Sequence, residues 1–179
     1  MVGPGRQERA WIRGAQAGSA SDLEALFREH WPRAHRAAFL VVQDAAAAED
    51  IAQEAFLAAV RNLDRFDRRR PFGPWLHRIV VNRSIDWARA RRLRREGGEV
   101  ETAEEEFDTG DLGNPFSEGI AAGLASLRPE QRAVIVLRYL LEYSPGEIAD
   151  LLDLPRGTVN SRLRRGLDRL EDILDRERR

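Results

Sequence analysis

One face of a predicted helix carries the residue types that hold an unpaired nucleic-acid strand. At about 100° per residue, Trp75 falls on the same side as Arg78, Asn82, Asp86 and Arg89. Aromatic rings stack on unpaired bases for about 1–3 kcal/mol each, while arginines bind the phosphates. More arginines follow at positions 91, 92, 94 and 95. In a second interpretation Trp75 packs as core beneath the loop from Phe66 to Phe72, and the pattern leaves both interpretations open.

The carboxy-terminal part of the chain has the pattern of a duplex-DNA reader. Ser144, Pro145 and Glu147 predict a capping box with proline at the first helical position, before a tight turn at 153–155. The helix predicted over 156–175 turns four apolar residues inward: Val159, Leu163, Leu167 and Leu170. Its outer face starts with short polar side chains and continues with arginines, as a major-groove recognition helix requires. The outer face comprises Thr158, Ser161, Arg164, Arg165 and Asp168, flanked by Asn160 and Arg162. A three-helix bundle with a solvated face is the alternative.

A helix predicted over 46–63 has two unlike faces. One side is apolar and should pack inward: Ile51, Ala52, Ala55, Ala59 and Leu63. The other side collects Asp50, Gln53, Glu54, Leu57 and Arg61. Periodicity alone favours a solvated polar face here. Leu57 favours a docking face for a basic partner, because an apolar residue among polar ones suits the centre of an interface.

The fold class is predicted to be all-α, since apolar residues recur at helical spacing and strand signals are nearly absent. We predict two small helical domains, over 7–95 and 119–175, joined by a flexible acidic linker over 96–118. Between positions 99 and 111 the linker has seven acids and no base, and it is too poor in apolar residues to fold alone. Further helices are predicted over 9–18, from an N-cap at Ser21 or Asp22 to Val42, over 74–95 and over 129–141.

Composition excludes several classes of protein. The 179 residues include no cysteine, which rules out disulfides and zinc fingers within the chain. His30, His35 and His77 show no metal-ligand spacing with carboxylates, so we expect no cofactor. No apolar run approaches the roughly 20 residues that span a bilayer, and the polar start of the chain has no signal-peptide core. We therefore expect a cytoplasmic protein without direct membrane insertion.

The chain resembles the extracytoplasmic-function (ECF, group 4) sigma factors of bacterial RNA polymerase, which belong to the sigma-70 family. Region 2.2 is similar to AEDIAQEAFLAAVRNLDRFD, and regions 2.3 and 2.4 are similar to RRRPFGPWLHRIVVNRSIDWARARR. Region 4 is similar to LRPEQRAVIVLRYLLEYSPGEIADLLDLPRGTVNSRLRRGLDRL. The resemblance covers nearly the whole chain, from about residue 8 to 175. The helix-turn-helix alone also fits response regulators, whereas the three segments in this order are highly specific.

The resemblance implies partners for the three faces. Docking on the β′ clamp helices of core polymerase is implied for Asp50, Gln53, Glu54 and Leu57. Binding of the melted −10 strand is implied for Trp75, Arg78, Asn82, Arg83, Asp86, Arg89 and Arg92. Reading of the −35 duplex is implied for Thr158, Asn160, Ser161, Arg162, Arg164 and Arg165. It also implies contact with the β flap of the polymerase and control by an anti-sigma factor.

The implied function is a transcription initiation factor with no catalytic chemistry of its own, which directs core polymerase to specific promoters. The main alternative is a stand-alone helix-turn-helix regulator that binds duplex DNA as a dimer, without polymerase. A nuclease is a further alternative, and it would need a cluster of carboxylates or histidines that holds a metal. Asp50 and Glu54 could imitate such a cluster, but no third ligand lies near them in the sequence.

Overall fold

The computed structural model describes residues 5–97 and 118–177, and within these ranges it contains helices and no strand. The amino-terminal bundle consists of α1 (Arg6–Gln16), α2 (Ala20–Val42), α3 (Ala45–Arg61) and α4 (Phe72–Glu96), with a 3₁₀ turn at Leu63–Arg65. The carboxy-terminal bundle consists of α5 (Glu118–Ala125), α6 (Pro129–Tyr139), α7 (Pro145–Leu152) and α8 (Arg156–Glu177). The all-α prediction is confirmed. Nearly all of the predicted linker over 96–118 lies outside the described residues.

Polar side chains explain where three of the helices begin. The cap of α2 is Ser19, whose Oγ accepts a hydrogen bond from the backbone N–H of Asp22 at 3.3 Å. The predicted cap at Ser21 or Asp22 is wrong, because both residues already lie in the first turn. Asp44 caps α3 by accepting from the N–H of Ala47 at 2.8 Å. These oxygens satisfy backbone donors that the first turn of a helix leaves without partners.

The capping box predicted at the start of α7 is confirmed. The backbone N–H of Ser144 donates to Glu147 Oε2 at 2.8 Å, and the N–H of Glu147 donates to Ser144 Oγ at 3.3 Å. The bond from the Ser144 backbone N–H favours the ionised carboxylate and lowers the pKa of Glu147, and the Ser144 side chain acts in the same direction. The start of the helix-turn-helix is therefore set by local sequence.

The amino-terminal bundle has a continuous apolar core. Ile12 of α1, Leu26 of α2 and Leu76 of α4 are completely buried. The predicted inner face of α3 is confirmed, since all of its members are buried: Ile51, Ala52, Ala55, Ala59 and Leu63. For α4, helical periodicity predicts a buried stripe of Leu76, Ile79, Val80 and Trp87. This prediction is partly wrong, because Leu76 and Val80 are buried but Ile79 and Trp87 are only half-buried.

A second hydrophobic cluster joins the two bundles, and it explains the difference in α4. The amino-terminal bundle contributes Ala37, Leu40, Val41, Val81 and Ile85. The carboxy-terminal bundle contributes residues of α6, α7 and α8, among them Val134, Leu137, Ile148 and Val159. Because α4 is buried on this second side as well, its apolar contacts extend beyond one stripe. The sequence predicted two linked domains, but it did not predict that they dock.

Arg132 of α6 lies inside this junction. Its Nη1 donates to the carbonyl oxygen of Val41 at 2.7 Å, and its Nη2 donates to that of Leu127 at 3.0 Å. Val41 lies in the last turn of α2, where the helix dipole is negative, so a cation is stabilised there without a carboxylate. Burial lowers the pKa of Arg132 to about 10, which still leaves the side chain charged at neutral pH. The guanidinium of Arg132 thus links α6 to the end of α2 by a hydrogen bond.

Within the carboxy-terminal bundle, α8 packs against α5, α6 and α7. Val159 and Leu163 are buried as predicted, but Leu170 is half-buried and Leu167 is exposed. The prediction for Leu167 is wrong because this side of α8 borders an open groove. At Gly166 the helix passes so close to α6 that an added Cβ would lie 2.7 Å from Ile135 Cδ1.

Candidate nucleic-acid and protein interfaces

Trp75 packs against aromatic side chains of the core and remains partly exposed. Its ring stacks on Phe66, with centroids 4.6 Å apart, and meets Phe72 edge-on at 5.6 Å. The side chain is nevertheless only half-buried, and it lines an open groove of about 960 Å³ together with Arg78. We call this cavity the Trp75 groove. The aromatic contacts fix the ring in one orientation, which lowers the entropy cost of stacking a base on its free parts.

Charges of both signs line the Trp75 groove. Arg65, Arg70 and Arg78 come from the amino-terminal bundle, as does Asp67, which pairs with Arg69. Glu147 and Asp150 reach the same groove from α7 of the other bundle. The arginines suit a phosphate backbone, whereas the two carboxylates would repel it. In this arrangement, therefore, the acids of the helix-turn-helix occupy the side of the groove that faces its arginines.

The other residues assigned to the −10 strand do not all share the groove. Asn82 is half-buried and Asp86 is exposed, and neither lines the cavity. The remaining three arginines pair with carboxylates: Arg83 with Glu54, Arg89 with Glu130 and Arg92 with Glu96. The structure thus brings together Trp75 and Arg78, and it places the rest along the outer side of α4.

The pair of Arg89 and Glu130 connects the two bundles. Glu130 stands at the start of α6, and Arg89 Nε donates to its Oε1. Burial acts to raise the pKa of Glu130, but the hydrogen bond from Arg89 and the nearby charge of Arg162 outweigh burial, so the pKa is lowered. Arg89 was assigned to the −10 strand and Arg162 to the −35 duplex. Glu130 therefore pairs with Arg89, an arginine of the predicted −10 surface, and lies near the charge of Arg162.

The outer face of α3 is exposed along its whole length. Asp50, Gln53, Glu54 and Leu57 are all exposed, and Leu57 keeps 53% of its surface accessible. The Nε2 of Gln53 donates to Glu49 at 3.0 Å, and Glu54 pairs with Arg83 of α4. None of the closely packed helix pairs of the described residues joins α3 to the carboxy-terminal bundle. This face remains accessible while the two bundles are docked.

An aromatic ladder on α2 borders this face, and sequence reasoning missed it. Phe27, Trp31 and His35 stack one turn apart, with ring centroids separated by 4.8 Å and 5.6 Å. Phe27 also touches Phe56 of α3 edge-on at 4.9 Å. At the other end, burial lowers the pKa of His35 and the charge of Glu49 opposes this effect. The four-residue spacing of the three rings was the signal available in the sequence.

The predicted recognition face lies along α8. Asn160, Arg164 and Arg165 are exposed, while Thr158, Ser161 and Arg162 are half-buried. Arg164 is 85% exposed and stands 3.9 Å from Asp168, one turn later. Such an exposed pair contributes little to stability. Arg164 can therefore exchange Asp168 for another acceptor at low cost.

An apolar groove of about 240 Å³ is a further feature that the sequence did not predict. Residues of α5, α6 and α8 line most of it, among them Tyr139 and Leu167, and Leu40 of α2 completes the lining. Tyr139 and Leu167 are among the large hydrophobic residues left exposed. Exposed apolar surface of this kind marks sites of protein contact more often than open solvent.

The described part of the chain has neither a metal-ligand cluster nor a membrane-spanning helix. Between residues 5–97 and 118–177 there is no cluster of three or more histidine, aspartate or glutamate side chains that could hold a metal ion. None of the helices in that part of the chain is both long and apolar enough to cross a membrane.

Comparison with known proteins identifies the family of each bundle. Residues 26–94 match the family Sigma-70 region 2, and residues 117–170 match the family Sigma-70, region 4. The first match contains α3 and most of α4, which carry the exposed acidic face and the Trp75 groove. The second contains the helix-turn-helix. The fold and its sites therefore define a protein of the sigma-70 class.

The relatives of this chain with known functions are sigma factors of one group within that class. The chain is 36% identical to the ECF RNA polymerase sigma factor SigW of Bacillus subtilis over 71% of this chain and 75% of the relative. It is 37% identical to SigL of Mycobacterium tuberculosis, over 86% and 89%. It is 33% identical to the ECF RNA polymerase sigma-E factor of Escherichia coli, over 69% and 71%. The chain belongs to the ECF sigma factors of bacterial RNA polymerase.

Solved structures show the same fold. CnrH, solved in complex with the cytosolic domain of CnrY, superimposes with a TM-score of 0.69 at 28% identity, over 94% of this chain and 97% of CnrH. RpoE, solved with the anti-sigma factor NepR from Bartonella quintana, gives a TM-score of 0.73 at 22% identity, over 87% and 98%. Both superpositions include the two bundles, because each covers most of this chain.

Proposed function

We propose that this sigma factor directs core polymerase to its promoters through three separate surfaces. The outer face of α3 binds the β′ clamp helices, the Trp75 groove holds the melted −10 strand, and α8 reads the −35 duplex. The observation that carries the assignment is the exposure of the acidic α3 face, centred on Leu57, in the docked chain. The protein contributes binding alone, without catalytic chemistry of its own, and it works in the cytoplasm.

Promoter binding on this proposal requires the two bundles to separate. Glu147 and Asp150 line the Trp75 groove, where their charge opposes the entry of a phosphate backbone. Arg89 forms an ion pair with Glu130, so its charge is not available to a phosphate. Movement of the carboxy-terminal bundle removes Glu147 and Asp150 from the groove and frees Arg89. It also lets α8 reach DNA at a distance from the −10 strand. Core polymerase can drive this step only by binding the separated state more tightly than the docked state.

The apolar groove beside Tyr139 is the surface we assign to the β flap of the polymerase. It offers exposed apolar side chains on the carboxy-terminal bundle, Tyr139 and Leu167 among them. A contact there would hold the helix-turn-helix on the enzyme while α3 holds the other bundle. Two weak sites on one tethered chain gain affinity together without further contacts.

We also propose control by an anti-sigma factor. The solved relative RpoE was captured with the anti-sigma factor NepR, and CnrH with the cytosolic domain of CnrY. A partner that binds the docked bundles would stabilise the state in which Glu147 and Asp150 line the Trp75 groove. Since the chain contains no cysteine, any thiol-based redox sensing would have to reside in that partner.

Run-off transcription tests the proposed function. Purified bacterial core polymerase is supplied with a library of genomic fragments, with and without the full chain, and the transcripts are sequenced. We expect new transcripts with a small set of common start sites when the chain is present. Transcription that is unchanged by the chain on every fragment would overturn the proposal. Two-fold symmetric binding to a duplex without polymerase would instead support the stand-alone regulator.

A further inference from the structure

Five arginines line a second cavity on the amino-terminal bundle, away from the residues assigned so far. Arg6, Arg9 and Arg13 stand on α1 at helical spacing, so they share one face. Arg68 and Arg69 come from the loop that precedes α4. The cavity between them measures about 460 Å³, and every side chain that lines it is an arginine. We call it the arginine cavity.

The two walls of the arginine cavity are held together by hydrogen bonds. Gln16, at the end of α1, donates through Nε2 to the carbonyl oxygen of Leu63 at 2.8 Å and to that of Phe66 at 3.1 Å. Ile12, on the other side of α1, is completely buried in the core. These contacts fix α1 against the segment that leads into the loop. The arginines therefore converge because of the fold.

The arginine cavity has an excess of positive charge. Arg69 pairs with Asp67 at 3.0 Å, but within the described residues Arg6, Arg13 and Arg68 form no ion pair. The acid within this stretch of α1, Glu8, pairs with His30 of α2 at 2.9 Å. Neighbouring cations repel one another, and a phosphate backbone removes this repulsion and releases its own counterions.

The loop before α4 connects the arginine cavity to the Trp75 groove. Arg65 and Arg70 line the groove, while Arg68 and Arg69 line the cavity. A single strand can bend around such a loop, whereas a duplex is stiff over far longer distances. The two cavities suit different parts of a nucleotide. The groove offers an aromatic ring on which a base can stack, whereas the arginine cavity offers only cations, which suit phosphates.

We infer that the arginine cavity binds backbone phosphates of the same melted DNA strand whose bases occupy the Trp75 groove. Arg6, Arg9 and Arg13 on one side and Arg68 and Arg69 on the other grip the strand as it leaves the groove across the loop. This site rests on the proposed function and extends it by one segment of single-stranded DNA. It adds affinity that depends on salt and not on base sequence.

Salt-dependent binding of a single strand tests the arginine cavity without any knowledge of the promoter. The full chain is titrated against a fluorescein-labelled oligothymidylate of about 20 nucleotides, long enough for the site sizes of single-strand binders. Fluorescence anisotropy then gives the dissociation constant at several salt concentrations. The double variant Arg6→Gln/Arg13→Gln should flatten the plot of log affinity against log salt by about 1.4, since each single-strand phosphate contact contributes about 0.7.

The matched control removes the same charge elsewhere. Arg169 and Arg176 are exposed on α8 and belong to no surface described above, so Arg169→Gln/Arg176→Gln should leave the slope unchanged. An equal effect of both double variants, no effect of Arg6→Gln/Arg13→Gln, or no binding of the oligothymidylate at low salt would each overturn the inference. The proposed function is judged separately, by the run-off transcripts of the wild-type chain.

A crosslink locates the strand directly. The chain has no cysteine, so Ala10→Cys introduces a single thiol among the arginines of α1 for an azidophenacyl photocrosslinker. We expect crosslinking to the oligothymidylate from position 10, and much weaker crosslinking from the control Ala46→Cys at the start of α3. Equal crosslinking from the two positions would contradict a defined site.

Discussion

His77 Nδ1 and the hydroxyl oxygen of Tyr143 lie 2.7 Å apart in a buried hydrogen bond between the two bundles. His77 belongs to α4 and is 5% exposed, and Tyr143 stands just before the capping box of α7. Burial lowers the pKa of His77 to about 3, with a further contribution from the nearby charges of His30 and Arg33. Burial also raises the pKa of Tyr143. Both groups are therefore neutral at physiological pH, and each is the hydrogen-bond partner of the other.

Removing the Tyr143 hydroxyl should weaken the docked state. Tyr143→Phe keeps the ring but leaves His77 buried without this partner, which costs about 1–3 kcal/mol. Urea denaturation of the full chain measures the loss. Tyr139→Phe is the matched control, because Tyr139 is exposed and its hydroxyl makes no hydrogen bond among those of the described residues. Equal stability of the two variants would show that the His77 bond contributes nothing.

Acid should destabilise the docked chain through His77. The unfolded chain takes up this proton near pH 6.5, whereas the folded chain takes it up only near pH 3. Between these values the unfolded state binds more protons, so stability rises with pH and is lost as pH falls. The loss attributable to His77 between pH 7 and pH 5 is about 2 kcal/mol.

The variant His77→Gln isolates this contribution, because carboxylates titrate in the same range. Denaturation curves at pH 7 and pH 5 give the free energy of unfolding of both proteins. Between these pH values the wild type should lose about 2 kcal/mol more than the variant. His35, whose pKa is also lowered by burial, is present in both proteins and cancels. The same loss in wild type and variant would contradict a neutral buried His77.

The buried guanidinium of Arg132 gives a third prediction. Arg132→Met removes the donors to the carbonyl oxygens of Val41 and Leu127, and we expect a loss on the order of 3 kcal/mol in stability. Arg132→Lys should recover part of it, because one ammonium can reach only some of these oxygens. Arg169→Met is the control at an exposed position, where a change within about 0.5 kcal/mol is expected. Equal losses at the two positions would contradict a structural role for Arg132.

Local features of this fold could be predicted from the sequence, and contacts between distant segments could not. The faces of α3 follow from periodicity, and the start of α7 follows from Ser144 and Glu147, three residues apart. The docking of the bundles depends on pairs such as Arg89 with Glu130 and Val41 with Arg132, which lie 41 and 91 residues apart. No pattern within a single helix indicates such a pair.

The same distinction explains the errors within α4 and α8. A single apolar stripe was predicted for α4, but Val81 and Ile85 are buried by the other bundle while Ile79 stays half-buried on the predicted side. Leu167 continues the apolar repeat of α8, yet no helix of the described residues covers it completely. Periodicity tells which side of a helix is apolar, but the position of the neighbouring helices decides which of those residues are buried.

Core polymerase binding should depend on the exposed face of α3. We expect Asp50→Ala/Gln53→Ala to lower affinity for core polymerase at least tenfold while the denaturation midpoint stays the same, because both side chains are exposed. Glu171→Ala/Asp172→Ala removes exposed polar side chains of α8 as a control. Competition against a labelled sigma factor for limiting polymerase gives the affinities. Unchanged binding of the α3 variant would assign the docking surface elsewhere.

Arg164 provides the sharpest test of the −35 surface. It is highly exposed on α8, and its neighbour Asp168 at 3.9 Å holds it only weakly. If it contacts a base edge, Arg164→Ala should cost about 1–3 kcal/mol at one base pair of the −35 element and little at the others. Binding of the holoenzyme to a set of singly substituted promoters, chosen from the run-off transcripts, measures this profile. Arg169→Ala, further along α8, should leave it unchanged. An equal loss of binding affinity on every promoter would show that Arg164 contacts a phosphate. In that case we would assign base reading to Asn160 and Ser161, which lie nearer the start of the helix.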